Sequence, residues 1–101
     1  MKRIYDIHQL PDYDDRLFMR FDWMKKHGGV VFADYDHVYH GQIEISRGET
    51  VQETLERIFT LLNDGEKPEG YKGRSLSVGD LVEFDDEGVW FCDSFGFIEA
   101  F

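Results

Sequence analysis

Four groupings of residues in this sequence have the types and spacing to do chemistry. His37-x-x-His40, flanked by Asp34 and Asp36, offers the imidazole and carboxylate donors that bind divalent transition metals. On an unbroken strand, however, residues three apart point to opposite faces, so the two imidazoles do not reach one ion, and no second His or Cys cluster completes a tetrahedral set. Cys92 is the only thiol. To act as a nucleophile it needs a base and an electropositive setting, whereas its neighbours Phe91, Asp93 and Ser94 supply an apolar group and a negative charge that favour the protonated form. Any base would have to come from His8, His27, His37 or His40. The acid pairs Asp14/Asp15 and Asp85/Asp86 lie in turn-like contexts, where adjacent carboxylates are solvated rather than poised for proton transfer. Glycines 28 and 29, and 70 and 73, lack the spacing and strand-to-helix context of a phosphate cradle. The expectation is a protein without a catalytic site, a metal site or a cofactor.

Charge carries more information than these groupings. Twenty-one Asp and Glu face eleven Lys and Arg, a formal net charge of -10. Such a surface repels nucleic-acid phosphates and anionic lipid, which argues against direct nucleic-acid or membrane binding. The distribution is uneven: no Lys or Arg follows Arg74, while Asp80, Glu83, Asp85, Asp86, Glu87, Asp93 and Glu99 do. One reading is solubility alone. The other is a surface for a partner protein with a basic face, such as a nucleic-acid channel, in which these carboxylates imitate DNA. The second reading assigns partner contacts to Asp80, Glu83, Asp85, Asp86, Glu87 and Asp93, with Trp90 and Phe95 as aromatic anchors. Sixteen aromatics exceed the needs of a core this small, so some of them should be exposed at a binding surface.

The elements that position these residues follow from periodicity. Residues 2–10 alternate Ile4 and Asp6 against Tyr5 and Ile7 and read as a strand ended by Pro11. The acidic run 12–15 reads as a turn or a helix lead-in. Over 16–27 helical and strand spacings compete, which a strand handing over to a short helix near Phe21 reconciles; Lys25, Lys26, His27 and Gly28-Gly29 close that helix. Val30–Phe32 and His37–Ser46 read as extended, with a bend at 34–36. In the longer stretch Val38, His40, Gln42 and Glu44 alternate against Tyr39, Gly41, Ile43 and Ile45. The helix at 50–63 is the best specified: Thr50 and Glu53 make a capping box, Val51, Leu55, Ile58 and Leu62 form one face, and Asn63-Asp64-Gly65 stops it. A Gly-rich charged loop over 65–74 precedes a meander of Leu81–Phe84, a turn at 85–88, Val89–Cys92, a turn near Ser94 and Gly96–Ala100.

The fold class expected is therefore α+β: a small, mostly antiparallel sheet packed against one main helix (50–63), with a shorter helix at about 21–27. A length of 101 residues suits one domain, 1–101. A lone cysteine forms no internal disulfide, no apolar run approaches the roughly 20 residues of a membrane span, and no apolar segment follows the charged N-terminus as in a secretory leader. The expected location is the cytoplasm.

Two segments are more specific than composition. Gly73-Arg74-Ser75-Leu76-Ser77-Val78-Gly79-Asp80-Leu81-Val82, followed by Cys92-Asp93-Ser94-Phe95-Gly96-Phe97-Ile98-Glu99, resembles the YodL-like domain family, with weaker echoes at 22–28, 35–39 and 54–59. Gly79 stands where relatives often carry Ser, and Cys92 where they often carry an aliphatic residue, which fits a packing role for the thiol. The resemblance implies a small domain of bacterial mobile elements, found beside DNA-processing and anti-restriction proteins, and brings no catalytic residues with it. In the Ser-Leu-Ser-Val-Gly-Asp run, Ser75 and Ser77 satisfy local backbone groups and Gly79-Asp80 turns the chain into the next strand; the alternative is a recognition rim with Asp93 and Ser94. Together these readings suggest a non-enzymatic, acidic, protein-binding factor. Its activity would be inhibition of a defence nuclease, an anti-CRISPR or anti-restriction role, by occupying a basic nucleic-acid site. The competing reading is a general interaction or self-association module with incidental charge, in which a homodimer stays open.

Overall fold

β1 (Lys2–Gln9) is the hub of the fold, because it alone pairs with strands from both halves of the chain: β2 (Asp36–Glu44) on one side and β3 (Leu81–Phe84) on the other. The computed structural model, which describes residues 1–101, continues the sheet through β4 (Gly88–Asp93) and β5 (Gly96–Glu99) in the order β2-β1-β3-β4-β5, antiparallel throughout. Two helices complete the α+β fold: α1 (Phe21–Lys26) and the longer α2 (Val51–Asn63).

Strand alternation gives the sheet two different faces. Tyr5, Ile7, Val82, Phe84, Cys92 and Phe97 project to one side, where they pack with Leu55, Ile58 and Leu62 of α2. The start of α2 is fixed as its sequence dictates: Glu53 N–H donates to Thr50 Oγ1 at 3.1 Å, and Thr50 N–H donates to Glu53 Oε1 at 2.9 Å. On the other side Leu81 and Phe91 pack with Leu10, Met24 and Tyr35, so α1 and the chain around it cover the β3–β4 part of that face.

Three expectations need correction. Residues 16–20 form no strand leading into α1: 16–18 are turns and 19–20 irregular, with Leu17 N–H donating to the Asp14 carbonyl and Met19 N–H to that of Arg16, and Phe18 at φ 66 cannot extend. Phe32 does not continue an extended run. It opens a 3-10 turn, Phe32–Asp34, closed by Tyr35 N–H on the Phe32 carbonyl. The third concerns β2, where the simple alternation fails. Ile7 pairs with Tyr39 but His8 pairs with His37, so Val38 is an extra residue, a β-bulge. Val38 therefore packs toward the α2 side with Tyr39 and does not share a face with His40.

Candidate functional site

The residues that follow Arg74 were expected to form one acidic surface, and the fold divides them. Asp85, Asp86 and Glu87 make the exposed β3–β4 turn, closed by Gly88 at φ 80, a conformation that favours glycine. Asp93 ends β4 and Phe95 lies just beyond it, about 17 Å away at the rise of an antiparallel strand. The turn is also less anionic than its sequence suggests. Arg3, whose side chain is only 10% exposed, brings Nε within 3.3 Å of Asp86 and Nη2 within 3.7 Å of Glu87, and its guanidinium carbon lies 5.4 Å from the centre of the Phe84 ring. β1 thus lends the turn a positive charge that the C-terminal segment lacks. Asp85 has no such partner among the ion pairs.

Asp80, offered by the sequence as a partner contact, is buried, with 3% exposure. Its Oδ2 accepts from Ser77 N–H at 2.7 Å and from Gln9 Nε2 at 3.0 Å, and Arg74 Nη2 approaches Oδ1 to 3.7 Å. Burial pushes the carboxyl up to about 7, against the opposing pull of the Ser77 N–H, Gln9 and Arg74. Other residues of the motif have packing or turn roles. Leu76 is core, Gly79 takes φ 102 in the turn into β3, and its N–H donates to the Cys92 carbonyl at 2.9 Å. A Cβ on Gly73 would collide with Gln9 Oε1 and come within 2.9 Å of Val38 Cγ2.

Trp90 is half-buried against the α2-side core, and its indole N–H donates to the Glu87 carbonyl at 2.8 Å, so little of it is free to anchor a partner. Phe95 is 97% exposed at the β4–β5 turn. Asp93 Oδ1 accepts from Phe21 N–H at 3.2 Å, tying the start of α1 to this end of the sheet.

Glu83 faces the side away from α2 and belongs to a cluster that the sequence reading missed. It accepts from His8 Nε2 at 3.0 Å. Beside it Asp6 Oδ1 accepts from His37 Nε2 at 2.8 Å and from His40 Nδ1 at 2.7 Å. An ionised carboxylate only accepts, so each of those ring nitrogens carries a proton. Burial raises the pKa of Asp6, but the two imidazole bonds outweigh it and hold the carboxyl below its ordinary value. The expectation that His37 and His40 face apart fails because the bulge at Val38 turns three residues of spacing into one shared face. The signal in the sequence was His-Val-Tyr-His itself, but the bulge is set by pairing to β1. No three His, Cys, Asp or Glu side chains form a group able to hold a metal ion.

Cys92 is buried, and its thiol is pushed up to about 12 by burial first and by the negative charges of Asp80, Asp93 and Glu56. That is the opposite of nucleophile activation. No helix is long and apolar enough to cross a membrane.

No curated protein and no solved structure matches this chain. A family model of the YodL-like domain matches residues 2–100, nearly the whole chain, and includes both specific segments. The chain belongs to the YodL-like domain family.

Proposed function

We propose that this protein is a non-enzymatic binding factor that engages a partner protein with a basic surface, and that its target is a nucleic-acid-processing enzyme whose DNA or RNA site it occupies. The observation that carries the reading is the net charge of -10 displayed on a folded surface. Asp85, Asp86, Glu87 and Glu99 are exposed, and Phe95 is free at the opposite end of β4, so charges for electrostatic capture and a separate aromatic contact are both available. The high pKa of Cys92 supports binding over covalent catalysis. The resemblance to domains of mobile elements supports an anti-defence role, against a CRISPR effector or a restriction enzyme.

The test is capture from bacterial lysates carrying such systems, over a salt series, followed by nuclease assays on the purified partner. A partner whose binding weakens steeply with salt, and whose nucleic-acid binding is displaced, is the expected result. Binding indifferent to salt would sink the electrostatic reading. It would favour the alternative of a general interaction module using exposed aromatics such as Phe95 and Phe101, with the charge incidental.

A further inference from the structure

β5 is an edge strand, and its outer side is open. Ala100 N–H donates to the Val89 carbonyl, and Ile98 and Gly96 sit opposite Phe91 and Asp93. In an antiparallel ladder the hydrogen-bonded pairs alternate, so Gly96, Ile98 and Ala100 face β4, while Phe97 and Glu99 turn their N–H and C=O groups outward. One of these groups already has a substitute partner: Gln52 Nε2, from α2, donates to the Phe97 carbonyl at 3.2 Å. Exposed apolar side chains border this edge, Phe95 at 97%, Phe101 at 66% and Ile98 at 37%. Natural edge strands are commonly blunted by Lys, Pro or a bulge, and 95–101 carries neither residue and its register with β4 is unbroken.

We infer that β5 is a docking edge that accepts an extended, basic segment of a partner protein as a sixth antiparallel strand. The backbone groups of Phe97 and Glu99 supply the ladder, with the incoming N–H replacing Gln52, and Phe95 and Phe101 grip the two ends. Charge selects the occupant. Glu99 lies on the edge, and a pocket of about 210 Å³ at its Gly96 end is lined by Glu56, Asp93, Ser94, Phe59 and Phe97, a fit for the aliphatic stem and cationic head of a Lys or Arg. A second copy of this chain would bring -10 against -10 and is disfavoured on the same ground. This inference rests on the reading of a basic protein partner and adds where and in what conformation that partner is held.

The test uses the full chain and a synthetic peptide of alternating Lys and Val, with a copy carrying Pro at alternate positions that cannot add to a sheet. Backbone amide chemical shifts and hydrogen exchange are followed at low salt. The expected result is slowed exchange at the Phe97 and Glu99 amides with the first peptide and none with the second. Phe95→Ala, at a side chain outside the core, should weaken binding roughly tenfold. Glu99→Pro, which removes an outward N–H, should abolish the protection, with circular dichroism checking the fold. Shifts centred on Asp85–Glu87 instead would overturn the edge while leaving a basic partner in place. Protection of β5 that grows with protein concentration without peptide would assign the edge to a second copy and overturn the inference. No response to either peptide anywhere in the protein would sink both readings.

Discussion

Gln9 Nε2 donates to Asp80 Oδ2 at 3.0 Å, joining two residues 71 positions apart inside the protein. The same amide nitrogen donates to the Arg74 carbonyl at 3.1 Å, and Gln9 Oε1 accepts from Arg74 N–H at 3.0 Å. One side chain of β1 therefore holds both ends of the turn that leads into β3. Asp80→Ala leaves the Ser77 N–H and a Gln9 donor unpaired in a dry site and should cost about 2 kcal/mol of stability in urea unfolding. The pH dependence has a definite sign. The folded pKa, about 7, lies above the unfolded value of 3.8, so the folded state binds more protons between them. The contribution of this carboxyl is full below the lower value and is lost as pH rises toward about 7. Asp80→Asn cannot ionise and should remove that slope, read by comparing unfolding midpoints across the window.

Gly73 is required by contact rather than by backbone conformation. A methyl group there meets the amide oxygen of Gln9, which is already committed to the Arg74 N–H. Gly73→Ala should destabilise by roughly 1–3 kcal/mol, because the bonded amide cannot swing away without losing its partners. A melting temperature equal to that of the natural chain would show that the loop simply moves.

The acidic turn should separate into two kinds of residue. Reversing Asp86 and Glu87 together to Lys places two cations beside the mostly buried Arg3, and should lower stability by roughly 1–2 kcal/mol as well as disturb binding. Asp85→Lys should leave stability within about 0.5 kcal/mol. It is therefore the variant with which to ask whether charge at this turn matters to a partner. Equal stability losses for the two would contradict the role assigned to Arg3.

Cys92 should be chemically inert in the folded protein. With its thiol pushed up to about 12 and buried, modification by a thiol reagent at pH 8 should run at least roughly a hundredfold slower than in denaturant. Comparable rates in the two conditions would reopen the nucleophile reading.

Local sequence determined the elements whose signals are local. The capping box and apolar face of α2 (Val51–Asn63), the alternation of β1, the β3–β4–β5 meander and the Gly79 turn are all in place, because each is set by residues within a few positions. The family motif was legible in the same way. Tertiary structure decided what partners those residues found. It buried Asp80, which the sequence alone offers as a partner contact. It set Arg3 against a C-terminal segment without a basic residue of its own. It also brought His37 and His40 onto Asp6, because the bulge at Val38 exists only in register with β1. Hydrophobic period and capping are short-range properties of a chain, whereas burial, ion pairing and strand register depend on which distant segment lies alongside.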